Sequence, residues 1–291
     1  MRGIFMRYPG GLAKAVTFSY DDGYPQDKRL SDLFTQYGLK ATFNHNGERQ
    51  MKSAFTDEEL ETYFFSRGHE LALHGEFHRP TGNQRPLDGI RDVLNCRLEL
   101  EARTGRIIRG FAYPDTGITL MGNFGSYETV KRYLTDLDIA YARTLGGDND
   151  SFMLPGDFHA WMPSAHHANP RIFEYIDEFL SLDLGWGRCY HAKRMPRLLY
   201  IWGHSYEFDK TEKRWDHIEE ICRRLSGHEE IYYATNIEIC EYCEAYRRLV
   251  FSADSRIVRN PTATDVWLDV DGRLYCVKAG ETVCVEPLKN Q

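Results

Sequence analysis

The 291-residue chain has no apolar run long enough to span a membrane. Its longest uninterrupted apolar stretch near an expected strand, Leu198-Leu199-Tyr200-Ile201-Trp202, falls far short of the roughly 18 residues required. A secretory leader is also missing from the chain as given. Met1–Phe18 carries Arg2 and Arg7 but breaks at Pro9-Gly10-Gly11, before an apolar core of about 7–15 residues can form, so a cytoplasmic location is expected. Excess positive charge is absent too: Lys plus Arg total 36 against 43 for Asp plus Glu, a net charge of −7. This excludes a protein that tracks nucleic-acid phosphates by bulk attraction, and neither a nucleic-acid nor a membrane partner is expected. Cysteine is scarce and odd in number, at positions 96, 189, 222, 240, 243, 276 and 284, in a chain too long to need staples. Reduced, mostly buried thiols follow. There is no internal repeat, low-complexity tract or charge run, and nothing in the composition fixes an oligomeric state.

What is present is enough apolar material for a real core, 42% hydrophobic with 13% aromatic, and an ordinary surface at 27% charged. The length suits one large α/β domain with a small appendage. Apolar runs alternate with helix-patterned polar stretches, predicting strands at Ala15–Ser19, Lys40–Asn44, Glu70–Leu73, Ile108–Tyr113, Tyr141–Thr144, Leu199–His204 and Ile231–Thr235. Thr56 with Glu59 forms a capping box that starts a helix, which Arg67-Gly68 ends. From about residue 145 to 197 the rhythm is lost. Asp148-Asn149-Asp150, Pro155-Gly156 and Met162-Pro163 read as an irregular insertion with one helix near Ile172–Leu182. After a helix at Glu238–Val250 come short strands at Ile257–Val258, Val266–Val270, Arg273–Val277 and Thr282–Val285, with a hairpin signal at Asp271-Gly272. The expected domains are therefore a catalytic unit over residues 1–250 and a small β extension over 251–291.

Asp21-Asp22-Gly23 closes the first expected strand, where barrels and open sheets present catalytic groups. Adjacent carboxylates there face different ways, so one can ligate a metal while the other stays free as a base. The same tripeptide also serves as an Asx turn that caps the following helix. His74 and His78 follow the third strand, and two imidazoles four residues apart can share one ion; lone histidines at this spacing are also found as caps or surface residues. With Asp22 they would form a His2Asp set with positions left open for water. His204, in Trp202-Gly203-His204-Ser205 at the end of the sixth strand, faces the same rim and suits a proton donor or a structural rim histidine.

Val16-Thr17-Phe18-Ser19-Tyr20-Asp21-Asp22-Gly23, the His74/His78 pair, Gly110-Phe111-Ala112-Tyr113-Pro114 and Leu199–His204 occur in a particular order and spacing. In these the chain resembles the polysaccharide deacetylases, carbohydrate esterase family 4 with the NodB homology domain, from residue 14 to about 250. The resemblance implies a distorted barrel of seven or eight β/α units and hydrolysis of N-acetyl groups on amino sugars. It implies Asp21 as general base, Asp22, His74 and His78 as ligands of one divalent metal, and His204 as general acid. Zinc is the default ion, other first-row ions being possible. A backbone N–H near Tyr113 would help hold the oxyanion. The partner is then an acetylated carbohydrate.

Two departures stand out. Gly75 replaces the Ser or Thr common after the first metal histidine, and Ala112 replaces the arginine that braces the base. Arg143, at the end of the fifth strand, is expected to contact Asp21 in its stead, a planar fork suiting a carboxylate. Tyr113, Pro114, Trp161 and Trp202 are further candidates to touch substrate or support the site, Trp161 either by stacking on sugar from a rim loop that also holds His166-His167 or, equally, by ordinary packing. Cys240 and Cys243, at i, i+3 without a second pair, read as a buried helix face rather than a zinc knuckle. His45, which follows the second strand, either faces the site as well or, as the safer reading, lies at the surface. Competing functions are an O-acetyl esterase using the same groups, a metal-independent amidohydrolase of a small cyclic amide, and a silent sugar-binding protein. The complete Asp22/His74/His78 set argues against the second, and Asp21 with His204 against the third.

Overall fold

The computed structural model describes residues 2–47, 55–122, 125–145, 152–185 and 191–286. Cys189 and the Asp148-Asn149-Asp150 part of the expected insertion lie outside them. The chain opens with β1 (Ile4–Arg7) and β2 (Lys14–Asp21), followed by α1 (Asp27–Gln36), β3 (Ala41–His45), α2 (Asp57–Tyr63), β4 (Glu70–Leu73) and α3 (Pro86–Thr104). Next come β5 (Gly110–Ala112), α4 (Tyr127–Asp136), β6 (Tyr141–Arg143), β7 (Ala165–His166), α5 (Ile172–Ser181), β8 (Arg197–Gly203) and α6 (Glu212–Leu225). Then follow β9 (Ile231–Tyr233), α7 (Asn236–Arg247) and the tail strands β10 (Val250–Phe251), β11 (Ile257–Arg259), β12 (Val266–Val270), β13 (Arg273–Val277) and β14 (Thr282–Cys284).

Eight strands form a wholly parallel sheet in the order β6-β5-β4-β3-β2-β8-β7, with β9 also on β2. β2 lies at its centre and is buried at every residue. One edge of β2 carries β9 along Lys14–Val16 and β3 along Phe18–Asp21, while β8 runs along the other from Lys14 to Tyr20. Strands covered on both faces read as near-continuous apolar runs, which is why the sequence announces them. The sheet curls into a distorted α/β barrel. Trp161 bridges Arg143 of β6, its N–H donating to Ala142 O at 3.1 Å and its carbonyl accepting from Thr144 N–H at 2.9 Å. Three residues on, Ser164 N–H donates to Tyr200 O of β8 at 2.8 Å, so this one segment joins the two edges. At the opposite end of the strands from the catalytic rim, Thr42 Oγ1, Tyr141 Oη and Ile237 N–H all donate to the buried Glu70 carboxylate, at 2.7, 2.8 and 2.9 Å.

The tail strands make two small antiparallel sheets, β1-β12-β13 and β10-β11-β14. The Asp271-Gly272 hairpin turns with φ of +53° and +86° at its two central residues, the geometry those residues favour. A buried cross-link joins Arg7 of β1 and Arg194 to the Asp269 carboxylate of β12, at 2.6 and 2.5 Å. Thr56 and Glu59 make both bonds of their capping box. Cys240 and Cys243 sit buried on α7 as expected. β1, β7 and β10 were not legible in the sequence. β7 is only two residues long, and β1 and β10 find partners far away or inside what reads as the end of a helix. Among the described residues no helix is long and apolar enough to cross a membrane.

Candidate active site

The C-terminal ends of β2, β4, β6 and β8 bring the chemistry to one rim. Asp21 is the last residue of β2, and the chain then turns through Asp22 (φ +80°) and Gly23 (φ +69°). A positive φ at a non-glycine costs conformational energy and persists where the surroundings enforce it. The turn separates the two carboxylates. Asp21 stays in the barrel, 2% exposed, where Arg143 Nη2 donates to its Oδ2 and Asn44 Nδ2 to its Oδ1 at 2.8 Å. Asp22 faces the histidines: its Oδ1 lies 3.2 Å from His78 Nε2 and 3.5 Å from His74 Nε2. Burial raises the Asp22 carboxyl, but the hydrogen bond from His78 and the charges of His74, His204 and His78 bring it down to about 2.

His74 is nearly fully buried and its Nδ1 lies 2.8 Å from Ala112 O. A carbonyl only accepts, so Nδ1 carries the proton and the Nε2 lone pair is left facing Asp22. Burial lowers the His74 pKa against the pull of Asp21 and Asp22, which favours the neutral ring with its proton on Nδ1. That is the tautomer a metal ligand needs. The facing atoms of Asp22, His74 and His78 all lie within 4.8 Å of one another, and two ligands about 2.0–2.1 Å from a tetrahedral ion sit about 3.3 Å apart. The donor set therefore fits a divalent ion. His78 Nδ1 is backed by Asp115 Oδ2 at 3.7 Å. The hydrogen bond to Asp22 raises the His78 pKa despite partial burial.

Arg143 meets Asp21, fully buried, with its guanidinium 4.7 Å from the centre of the Trp202 ring. His204 follows β8 on the same rim, half-buried, its ring 5.7 Å from that of Trp202 and 5.2 Å from that of Tyr206. Three expectations need correction. Trp161 is 1% exposed, edge-packed against Tyr141, Phe158 and Tyr200, and cannot stack on a sugar. The Tyr113 side chain is also buried, and its own N–H donates to Arg143 O at 2.9 Å, so this amide is committed to the sheet. His45 is fully buried under Gly23, 3.5 Å from Asp27 Oδ2. A β-carbon at Gly23 would meet its ring at 3.2 Å.

Gly75 also has a reason. Its φ is +78°, and the Asp92 carboxylate occupies the space a side chain would take, with Pro114 beyond. Asp92 Oδ1 accepts from Phe77 N–H at 2.9 Å and Asp92 O accepts from Glu76 N–H at 3.1 Å, ordering the loop between the two histidines. Asn44, Asp92 and Asp115 were missed in the sequence. The one available signal was Asn44, a polar residue ending an apolar strand.

Residues 9–120 match the family model described as polysaccharide deacetylase. No curated protein matches the chain. Among solved structures, the chain is similar to a Mycobacterium smegmatis protein provisionally named a polysaccharide deacetylase, at 15% identity and TM-score 0.57, covering 82% of this chain and 93% of that one. A protein of Pseudomonas aeruginosa PAO1, also provisionally so named, aligns at 12% identity and TM-score 0.56, covering 83% and 93%. A structure named PuuE allantoinase aligns at 12% identity and TM-score 0.57, covering 80% and 91%. At these identities the likeness is one of fold.

Proposed function

We propose that the chain is a metal-dependent hydrolase that removes N-acetyl groups from an amino-sugar oligo- or polysaccharide. The observation that carries this reading is a buried carboxylate, Asp21, held by Arg143 and Asn44 next to the Asp22/His74/His78 donor set. Asp22, His74 and His78 would hold the ion, zinc by default, and a divalent ion there supplies Lewis acidity toward an acetyl carbonyl and toward water. Asp21 accepts the proton of the attacking water. Arg143 and Asn44 each take one of its oxygens, so its orientation is set before substrate arrives. His204 protonates the departing amine from the end of the neighbouring strand β8. Trp202, stacked on Arg143, walls the space between base and acid.

The test is acetate release by the purified protein, supplied with zinc, cobalt or nickel, from N-acetylglucosamine oligomers and from O-acetylated xylan. The expected result is release from the N-acetyl substrates that stops with a chelator and returns with metal. Activity confined to the O-acetyl substrate would make the protein an esterase. Release indifferent to chelator, or none from either substrate, would overturn the metal-dependent reading.

A further inference from the structure

A second carboxylate–histidine cluster lies beside the first. His166 ends β7, His167 follows it, and Glu207 sits in the short 3-10 turn Ser205–Lys210 after β8. Glu207 Oε2 lies 3.0 Å from His167 Nε2 and 3.3 Å from His166 Nε2. These separations resemble those of the first donor set, but the proton placement differs. His166 Nδ1 accepts the Ala168 N–H at 3.1 Å, so the neutral ring carries its proton on Nε2, the nitrogen 3.3 Å from Glu207 Oε2. His74, in contrast, bonds a carbonyl through Nδ1 and leaves Nε2 bare. The first cluster is arranged for a cation, the second for a carboxylate that receives protons. In keeping with this, burial would raise Glu207 but the two imidazoles of His166 and His167 beside it bring it far below the ordinary carboxylate range.

The other oxygen of this anion faces the acid. Glu207 Oε1 is 3.8 Å from His204 Nδ1, a buried ring nitrogen with no hydrogen-bond partner among the described residues. Positions three apart in a 3-10 turn eclipse, and Glu207 N–H donates to His204 O at 3.2 Å, so backbone and side chain hold the pair together. Bonds of this kind are often long until substrate binds. Resting on the reading of His204 as proton donor, we propose that Glu207, held by His166 and His167, is the positioning residue for His204. It takes the Nδ1 proton, so that Nε2 faces the substrate and the imidazolium formed in the catalytic cycle is stabilised.

The experiment compares wild type with Glu207→Gln and His166→Ala, the latter half-exposed and so the safer variant for folding. Imidazole nitrogen shifts from ¹⁵N-histidine-labelled zinc-loaded protein should place the neutral His204 proton on Nδ1 in wild type and on a mixture of nitrogens in Glu207→Gln. With an N-acetyl substrate, kcat should fall about 10–100-fold in Glu207→Gln at little-changed KM and metal content, and less in His166→Ala. An unchanged tautomer with unchanged kcat in Glu207→Gln would overturn the proposal, as would loss of one bound zinc per chain in His166→Ala. Wild-type protein inactive on every acetylated sugar would instead sink the deacetylase reading, while the nitrogen shifts would still decide the Glu207–His204 pairing.

Discussion

Asp21 and Asp22 are neighbours in sequence whose carboxylates face different partners, and the turn at Asp22 is what separates them; under the proposed function they have separate tasks. Asp21→Asn should therefore keep a full complement of metal while losing roughly 10²–10⁴ in kcat, because the amide cannot accept the proton. Metal analysis alongside kinetics checks this, and loss of metal would show that the two roles are shared. Arg143→Ala should lower kcat with metal retained, and Arg143→Lys should recover only part of the loss, since a point charge cannot reproduce the fork. Gly75→Ser, which restores the commoner family residue, should do harm here: its φ of +78° and the Asp92 carboxylate leave no room. A loss of more than about 1 kcal/mol in urea unfolding, with weaker metal binding, is the expected result. The strand-end motifs were legible because each follows an apolar run that fixes where the rim lies. Asp92 and Asp115 were not, because they reach the site from a helix and a loop whose own patterns say nothing about it. Trp161 misled for a physical reason: a tryptophan in an irregular segment reads as exposed until the segment proves to close the barrel.

The β/α units themselves were readable in both type and position, from β2 through β9 with the exception of the two-residue β7, because buried parallel strands have an unmistakable apolar signature. Their ends moved inward or outward by a residue or two, as at β5, where the apolar run Ile108–Tyr113 shrinks to the three paired residues Gly110–Ala112. What the pattern cannot show is how elements are tied across the barrel, and Glu70 is the case in point. This one carboxylate of β4 collects donors from β3, β6 and the start of α7. Burial pushes its pKa up to about 7, against the hydrogen bonds from Ile237, Thr42 and Tyr141, whereas an unfolded glutamate ionises near pH 4.5. Between those values the folded protein holds more protons than the unfolded chain, so this group makes stability fall as pH rises from about 4.5 to about 7 and leaves it level above. Glu70→Gln should flatten that part of the stability profile, measured by urea midpoints at intervals across the range. A profile as steep as wild type would show that the three donors already keep Glu70 ionised.

For the whole molecule, the small sheets are fastened to the barrel by buried charge. Asp269 answers two arginines, Arg7 and Arg194, and Tyr242 Oη links Arg7 O to Trp267 N–H at 2.7 and 2.9 Å. Removing one member of such a set strands the others without a partner. Asp269→Ala should cost about 3–5 kcal/mol in chemical unfolding, and a chain cut after residue 250 should lose cooperative unfolding of the barrel as well. A truncated chain with wild-type midpoint would make the tail a detachable extension. The register that pairs Ile4 with Val270 also sets an order of events. A ribosome makes β1 before any strand of the barrel and β12 after all of them, so the apolar Ile4-Phe5-Met6 waits unpaired through most of synthesis. The sheet that holds the tail is therefore the last to close.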